Sequence, residues 1–403
     1  MIAVVADDFS GAAELAGIGF GFGLSSEVHT EFEQDGPADL AAIDTDSRCR
    51  PEAEAARRVA DAANRLHERR PDWVFKKVDS VLRGHVLAEV RSMLAATGKR
   101  RAILVPANPS RGRILREGRY FIDGRPIHQT PFAADPDYPA RSSDVLDLLG
   151  ARTSPEVRLQ RPGDGLPESG VIVGEAAAPS DLTAWAERID PTTLAAGAAD
   201  FFAALLTAQG LRPCPPQPAD HETACPHTTL FVCGSAAAWA SARREECVKH
   251  GIPIVRVEPA PFGPEAWPPQ TRRQADAALD ALDRTGVAML TLGGPPCRHG
   301  YPRLRRVKPC HPPLDPLVEV IDDLLSRRNV ERLFVEGGGT ASALVRRLGW
   351  TQTSICRPYV PGVVAMRIPA RPGTILTVKP GTYPWPDDVW PTPLSPRDVR
   401  SPP

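Results

Sequence analysis

The chain has 403 residues, of which 42% are hydrophobic, and its formal net charge is -1 at neutral pH. This length exceeds that of one ordinary domain, and the balanced charge gives no sign of a nucleic-acid partner. The longest apolar runs are strand-sized, far short of a membrane span, and the N-terminus MIAVVADD lacks a basic leader. We therefore expect a cytoplasmic protein with two domains and no membrane partner.

The N-terminal half alternates short apolar runs with helical patterns. Strands are predicted at 2–6, 40–45, 73–77, 102–107 and 171–174. Helices are predicted between them, at about 51–70, 86–97 and 181–209. Apolar strands separated by helices are typical of βαβ units and a mainly parallel sheet.

A proline-rich segment at 212–228 interrupts this alternation and indicates a linker. Beyond it, strands are predicted at 229–234, 252–257, 287–292, 333–338 and 374–381. The predicted helices of this half are 236–250, 271–285, 315–328 and 340–348. The predicted fold class is therefore two tandem α/β domains with mainly parallel sheets, at 1–211 and 229–403.

Polar motifs follow the first four predicted strands. They are ADDFSGAAE with Asp7 and Asp8, DTDSR with Asp44, Asp46 and Arg48, FKKVDSVLRGH from Phe75 to His85, and PANPSRGR with Asn108, Ser110, Arg111 and Arg113. Ligands of open α/β sheets bind at the carboxyl ends of strands, so we expect these motifs to share a pocket.

The content of this pocket points to a polyhydroxylated acid. The groups that suit a carboxylate or phosphate are Arg48, Lys76 or Lys77, Arg83 and Arg111. Asp7, Asp8 and Asp79 suit hydroxyl groups, as acceptors or as a general base. Aspartate at a strand end also caps the following helix in many proteins, so part of this set is structural.

The second half carries glycine turns instead. They are FVCGSAAA, FVEGGGTASAL and VKPGT, each at the end of a predicted strand. Glycine turns at helix N-termini expose N–H groups to phosphate, although tight packing of a strand on a helix also selects glycine. Neither a P-loop nor a G-x-G-x-x-G pattern is present. Three such turns in one domain favour a nucleotide.

With these motifs the chain resembles the four-carbon acid sugar kinase family, which acts on tetronates and 3-oxo-tetronates. The N-terminal resemblance rests on ADDFSGA, DTDSR, KKVDSVLRGH and PANPSRGR, and YFIDGRPIHQTPFAADPDYP continues it. The C-terminal resemblance rests on Gly234-Ser235, Gly337 to Thr340 and Lys379-Pro380-Gly381. It implies a sugar acid in the first domain, ATP with Mg²⁺ in the second, and phosphorylation of a hydroxyl group. Gly339 and Pro380 replace an acidic residue and a serine of the family pattern, which indicates a divergent branch.

The resemblance implies a role for each site residue. The substrate-binding residues would be Asp7, Arg48, Lys77, Val78, Asp79, Ser80 and Arg83. The nucleotide-binding residues would be Ser235, Gly337, Gly338, Gly339, Thr340 and Gly381. Asp8 is the first choice, and Asp79 the second, for orienting or deprotonating the attacking hydroxyl group. Metal ligands are not assigned, and a homo-oligomer is left open.

Two other functions are kept as alternatives. One is a metal-dependent sugar-phosphate phosphohydrolase built on Asp7 and Asp8, although the ADDFSG start lacks the alternating D-x-D spacing and a glycine-rich second domain would then have no role. The other is a non-catalytic protein that binds a sugar acid or a nucleotide. Release of ADP from ATP in the presence of sugar acids distinguishes the three.

Overall fold

The computed structural model describes residues 1–31, 38–135, 137–215, 228–234, 243–258, 267–292, 314–381 and 383–390. The chain forms two compact units, Met1–Pro216 and Gln217–Pro403. The predicted linker at 212–228 lies largely outside the described residues, so the predicted domain boundaries stay a prediction.

The first unit contains one large parallel sheet and one small antiparallel sheet. Its strands are β1 (Ile2–Ala6), β2 (Ser26–His29), β3 (Leu40–Asp44), β4 (Trp73–Lys77), β5 (Arg101–Val105), β6 (Arg113–Arg116), β7 (Arg119–Ile122), β8 (Arg125–Pro126), β9 (Val157–Gln160), β10 (Gly170–Gly174) and β11 (Thr193–Gly197). The large sheet has the order β2-β3-β1-β4-β11-β5-β10-β9, with every pairing parallel. The small sheet has the order β6-β7-β8 and follows β5 along the chain.

Helices cover both faces of the large sheet. They are α1 (Phe9–Gly21), α2 (Glu52–Glu68), α3 (Val86–Ala96), α4 (Val145–Leu148), α5 (Pro179–Ala186) and α6 (Ala199–Ala208). Short 3-10 helices lie at Pro109–Arg111, Ile127–Gln129 and Pro131–Ala134. Val59 of α2 and Val90 of α3 share one buried core with Val5 of the sheet. On the opposite face Phe202 of α6 packs on Phe75 of β4, with ring centroids 5.2 Å apart.

The connections of the central strands open a crevice. The chain leaves β1 through α1, which contacts α6, and leaves β3 and β4 through α2 and α3 on the opposite face. Loops that diverge from neighbouring parallel strands leave room at the carboxyl edge of the sheet. The motifs that follow β1, β3 and β4 all lie at this edge.

The prediction of one helix at 181–209 is wrong, because β11 interrupts it. β11 lies in the middle of the sheet, between β4 and β5. Its sequence, TLAAG, is short and alanine-rich, so its periodicity does not separate strand from helix. Small residues are required there, since a Cβ atom at Gly197 would lie 2.2 Å from the carbonyl oxygen of Val105.

The second unit is also an α/β structure. Its strands are β12 (Thr229–Cys233), β13 (Ile254–Arg256), β14 (Val287–Thr291), β15 (Arg332–Glu336), β16 (Gln352–Val360), β17 (Val363–Arg367) and β18 (Ile375–Lys379). Its helices are α7 (Arg244–Lys249), α8 (Trp267–Thr285), α9 (Asp315–Arg327) and α10 (Gly338–Arg347), with a 3-10 helix at Asp387–Val389.

The sheet of this unit is mixed. Strands β13, β14, β12, β15 and β18 pair in that order and are parallel. β17 and β16 extend the sheet in antiparallel fashion and were not predicted. The prediction of α/β folds with mainly parallel sheets is confirmed. None of the helices in the described ranges is long and apolar enough to cross a membrane.

Candidate active site

The loops after β1 and β3 are tied together at the carboxyl edge of the first sheet. The backbone N–H groups of Ser47 and Arg48 donate to the carbonyl oxygen of Asp7, at 3.0 and 3.2 Å. The N–H group of Thr45 donates to the carbonyl oxygen of Ala6 at 3.0 Å. These bonds extend the pairing of the two strands and bring the DTDSR motif against the ADD motif.

Arg48 is the centre of a cluster of carboxylates. Its Nε lies 2.6 Å from Asp7 Oδ2, and its Nη1 lies 2.8 Å from Asp8 Oδ2. Its Nη2 lies 3.8 Å from Asp79 Oδ1, which belongs to the loop after β4. The structure thus brings together the predicted residues of three motifs around one guanidinium group.

Asp8 is both a helix cap and a member of this cluster. Its Oδ1 accepts from the backbone N–H of Gly11 at 2.8 Å, and its Oδ2 accepts from the Ser10 hydroxyl at 2.7 Å. Burial by itself would raise the pKa of the Asp8 carboxyl, but Arg48, Lys77 and these hydrogen bonds lower it below its usual value. Asp8 therefore stays ionised.

Asp79 is held even more firmly. Its two oxygens face the guanidinium fork of Arg83, with Oδ1 2.8 Å from Nη2 and Oδ2 3.0 Å from Nε. Burial opposes its ionisation, but Arg83 and Arg48 bring the pKa of Asp79 far below the usual range. The bidentate pair fixes the loop that follows β4.

The two neighbouring lysines point to opposite faces of the sheet, as alternation along a strand requires. Lys76 is fully buried and its Nζ lies 2.8 Å from Glu89 of α3, which removes it from the set of anion-binding residues. Lys77 lies on the α1 face, with its Nζ 3.6 Å from Glu14 and donating to the carbonyl oxygen of Val78 at 3.1 Å. Its Nζ is close to Gly11, where a Cβ atom would lie 3.1 Å away. Lys77 therefore flanks the first turn of α1.

Val78 and Ser80 contribute different groups. The Val78 side chain belongs to the buried core, so only its backbone is available to a ligand. Ser80 is 7% exposed, and its hydroxyl accepts a hydrogen bond from Arg113 Nη1. Its carbonyl oxygen accepts from the hydroxyl of Tyr120 on β7.

Asn108 and Ser110 of the fourth motif have a structural role. Asn108 Oδ1 accepts from the backbone N–H of Asp200 at 2.9 Å. The Asp200 carboxylate in turn accepts from the N–H and the hydroxyl of Ser110 at 2.9 and 2.8 Å. These bonds fasten the loop after β5 to the start of α6.

A segment in which no site residue was predicted supports Arg48 and Arg83. Asp135 Oδ2 lies 3.4 Å from Arg83 Nη1, and its Oδ1 accepts from the N–H of Tyr138 at 2.9 Å. The Tyr138 hydroxyl donates to the carbonyl oxygen of Arg48. The sequence does show an acidic residue and a tyrosine in the stretch PFAADPDYP. Nothing in the sequence indicates, however, that this stretch folds back onto Arg48 and Arg83.

In the second unit three glycine turns follow three neighbouring parallel strands, β12, β15 and β18. Gly337 has φ +96, and its N–H donates to the carbonyl oxygen of Lys379 at 2.9 Å. A Cβ atom at Gly381 would lie 4.0 Å from Gly337 Cα. One at Gly234 would lie 2.2 Å from Thr340 Oγ1. The predicted turns are therefore adjacent.

Gly337 precedes the first residue of α10 and is its N-terminal cap. Gly338, Gly339 and Thr340 form the first turn, whose N–H groups have no acceptor within the helix. Such N–H groups at a helix N-terminus are suited to an anion. Ser235, predicted to bind nucleotide beside them, lies outside the described residues.

A buried ionic cluster supports this turn. Glu336 is 1% exposed, and its carboxylate lies 2.8 Å from Lys379 Nζ and 2.8 Å from Arg243 Nε. Burial lowers the pKa of Lys379, and Glu336 only partly offsets this. The described residues contain no group of three or more His, Cys, Asp or Glu side chains placed to hold a metal ion.

Comparison with known proteins identifies the family. Residues 2–205 match the family of the sugar-binding N-terminal domain. D-threonate kinase of Salmonella typhimurium is 33% identical over 153 residues, 37% of this chain and 36% of that protein. D-threonate kinase of Cupriavidus necator is 29% identical over 92% of this chain and 91% of its own. 3-Oxo-tetronate kinase of Methylobacterium radiotolerans is 25% identical over 94% of this chain and 95% of its own.

The chain belongs to the four-carbon acid sugar kinase family. This confirms the resemblance that the motifs indicated. The alignments to the first curated relatives span little more than a third of those proteins, 36% and 37% of their lengths. A crystal structure from Salmonella typhimurium shares the fold, with a TM-score of 0.72 at 16% identity, over 95% of this chain and 96% of its own.

Within this family member, the matched sugar-binding domain contains the whole cluster around Arg48. The glycine turns of the second unit lie beyond the matched residues. The roles assigned to individual residues of either site are therefore proposals, and the geometry above is their basis.

Proposed function

We propose that the protein is an ATP-dependent kinase that phosphorylates a hydroxyl group of a small four-carbon sugar acid, of the tetronate or 3-oxo-tetronate type. The relatives that align with 92% and 94% of this chain carry those names. The structural observation that supports the proposal most directly is an unsatisfied oxygen of Asp7 within the sugar-binding domain.

Asp7 Oδ1 is buried and, among the residues that the structure describes, has no hydrogen-bond partner. The other oxygen of the same carboxylate is held by Arg48 at 2.6 Å. A buried carboxylate oxygen without a donor is unfavourable by about 1–3 kcal/mol or more, so the site is built to receive a donor. A sugar hydroxyl group supplies one, which makes Asp7 a substrate-binding residue.

Asp8 remains the first candidate for orienting the attacking hydroxyl group, and Asp79 the second. The lowered pKa of Asp8 makes it a weak proton acceptor, so we assign it orientation rather than proton abstraction. Phosphoryl transfer depends mainly on positioning and electrostatic stabilisation, which an ionised, fixed carboxylate provides. Both oxygens of Asp79 accept hydrogen bonds from Arg83, so Asp79 is less able to bind a substrate hydroxyl group instead.

The other proposed substrate-binding groups surround these carboxylates. Lys77 supplies a buried ammonium group beside α1, and Val78 supplies its backbone. Ser80 offers a hydroxyl group on the same loop. Arg48 and Arg83 hold the carboxylates in place, so that a substrate meets a fixed set of acceptors.

For the nucleotide we propose the residues of the three glycine turns: Ser235, Gly337, Gly338, Gly339, Thr340 and Gly381. The N–H groups at the start of α10 fit phosphate oxygens. When bound there, ATP supplies the phosphoryl group. Mg²⁺ is proposed only on the general requirement of phosphoryl transfer. Glu336 does not suit it, because Lys379 and Arg243 engage its carboxylate, and we assign no residue to the metal.

The hydrolase alternative is not favoured. It needs Asp7 and Asp8 as metal ligands, whereas both carboxylates face the guanidinium group of Arg48 at 2.6 and 2.8 Å. It also leaves the adjacent glycine turns of the second unit without a task.

The test is one incubation of the purified protein with ATP, Mg²⁺ and a panel of four-carbon sugar acids, followed by measurement of ADP. We expect ADP release that depends on one or a few of the acids. Phosphate released from a phosphorylated sugar acid in the absence of nucleotide would replace the proposal with the hydrolase. Binding of sugar acid and ATP with no turnover would replace it with a non-catalytic binding protein.

A further inference from the structure

The arginines around the sugar-acid site differ in how their charge is balanced. Arg48 faces Asp7 and Asp8, and Arg83 faces Asp79 and Asp135. These two guanidinium groups therefore stand against four carboxylates. Lys77 also lies near Asp8, but its Nζ is 3.6 Å from Glu14, so the cluster keeps an excess of negative charge. A cluster of this kind attracts hydroxyl donors but repels the carboxylate of an acid substrate.

Arg113 is the exception among these arginines. It begins β6, on the hairpin that follows β5. Within the described ranges it pairs with no carboxylate, and its hydrogen bond is to the Ser80 hydroxyl. Arginine that is not neutralised, next to an excess of negative charge, is the natural partner for an incoming anion.

Arg113 nevertheless lies beside the cluster. Its guanidinium carbon is 5.9 Å from the centroid of the Phe132 ring, and that of Arg83 is also 5.9 Å from it. Contact with an aromatic ring limits the orientations of a guanidinium group without using its N–H donors. The Phe132 ring thus lies beside two guanidinium groups, that of Arg83, which is paired with carboxylates, and that of Arg113, which has no carboxylate partner in the described ranges.

Ser80 completes a pair of donors. A hydroxyl group has one proton to donate and two lone pairs. The Ser80 hydroxyl accepts from Arg113, and within the described residues its own proton has no acceptor. The Tyr120 hydroxyl fixes the carbonyl group of the same serine. The remaining N–H groups of Arg113 and the O–H of Ser80 are therefore side by side, as the two oxygens of a carboxylate require.

We propose that Arg113, with the Ser80 hydroxyl, binds the carboxylate of the sugar acid, while the aspartates of the Arg48 cluster bind its hydroxyl groups. This deepens the proposed function and rests on it for the identity of the acid. It makes Arg113 the residue that selects an acid over an uncharged sugar of the same length.

The experiment compares the parent protein with Arg113→Gln and Arg113→Lys. Binding is measured by calorimetry without nucleotide, for a four-carbon sugar acid that the parent binds and for the corresponding amide. ADP formation is then measured with the same two compounds. The matched control is Arg116→Gln, on the same strand, because Arg116 is exposed and lies against the Phe121 ring. Melting temperatures establish that each variant is folded.

We expect Arg113→Gln to weaken binding of the acid by roughly 10- to 150-fold, the range for a hydrogen bond to a charged group. Binding of the amide should change less than about threefold, and Arg113→Lys should recover part of the loss. Equal losses for acid and amide, or a folded Arg113→Gln variant with parental affinity for the acid, would overturn the inference.

Failure of the kinase proposal does not by itself reject the role of Arg113. If the parent binds the acid but forms no ADP, the kinase proposal fails, and the binding data alone decide the role of Arg113. If the parent binds no four-carbon sugar acid, both proposals are rejected.

Discussion

Gly234 and Thr340 are so close that a Cβ atom at Gly234 would lie 2.2 Å from Thr340 Oγ1. Gly234 follows β12, and Thr340 lies in the first turn of α10, so the contact joins two of the proposed phosphate-binding turns. Thr340 is 4% exposed and has little room to move away. Only glycine therefore fits at position 234 while the first turn of α10 keeps its place.

Gly234→Ala should therefore displace the first turn of α10 and weaken nucleotide binding. Overpacking of this kind costs about 1–3 kcal/mol, and we expect ADP affinity to fall at least about tenfold. The control is Gly373→Ala, where the nearest atoms are those of the Asn329 side-chain amide, at 3.0 Å, and can yield. Parental ADP affinity in a folded Gly234→Ala variant would move the nucleotide site away from this contact.

Gly338→Val tests the separation of the two sites. A side chain at the first residue of α10 obstructs an approach of phosphate to the N–H groups of this turn. Calorimetry should show no heat with ADP–Mg²⁺ and a near-parental affinity for the sugar acid. If the glycines serve packing alone, the melting temperature falls while the folded fraction still binds ADP.

Arg83→Lys should be almost as harmful as Arg83→Ala. A lysine ammonium group cannot contact both oxygens of Asp79 as the Arg83 fork does, at 2.8 and 3.0 Å. We expect a loss of roughly 1.5–3 kcal/mol in kcat/KM for the sugar acid. If kcat/KM of both variants stays within threefold of the parent value, turnover does not depend on a fixed position of the Asp79 carboxylate.

The stability of the first unit should fall in acid partly through Asp8. Because its pKa in the folded protein is below the usual 3.8, the unfolded chain takes up this proton first as the pH falls. The contribution of Asp8 to the free energy of unfolding is complete above its pKa in the unfolded chain. It is lost as the pH falls through its pKa in the folded protein. Between about pH 5 and about pH 3 the urea midpoint of the parent should fall more steeply than that of Asp8→Asn. Asparagine keeps the side-chain oxygen that caps α1, so the two proteins differ mainly in the ionisable carboxylate. Urea midpoints that fall in parallel with pH for the parent and Asp8→Asn would contradict a pH-dependent contribution of Asp8.

Lys379→Met should destabilise the second unit. It leaves Glu336, 1% exposed, with Arg243 as its one described cation. Breaking a buried pair by removing one partner costs about 3–5 kcal/mol, whereas replacing both partners is far less harmful. The double variant Lys379→Met/Glu336→Leu should therefore be more stable than the single one in urea unfolding. Equal midpoints for the parent and Lys379→Met would refute the account.

The strand ends of the first unit were predictable because apolar runs followed by polar motifs are a strong local pattern. β1, β3 and β4 lie where the sequence placed them, and Arg48, Asp7 and Asp79 meet at their ends. A local pattern fixes which residues end a strand. It does not fix which face of the sheet each side chain takes, so Lys76 and Lys77 could not be told apart in advance.

Contacts across long separations were not predictable. Arg113 reaches Ser80, 33 positions away, and Asp135 reaches Arg83, 52 positions away. Both contacts depend on how the hairpin after β5 folds back over the loop after β4. No periodicity in the sequence encodes that direction. The same holds for β11, whose place in the sheet is set by tertiary packing and not by its alanine-rich sequence.

The central position of β11 also governs how the first unit is completed during synthesis. Until residues 193–197 have left the ribosome, β4 and β5 have no strand between them, and both expose unpaired backbone groups. The growing chain then contains all of the proposed substrate-binding residues but an incomplete sheet, which favours association with other chains. A fragment that folds by itself must therefore extend past Gly197 and include α6. We expect aggregation of the protein to begin with nascent chains that are arrested before Gly197.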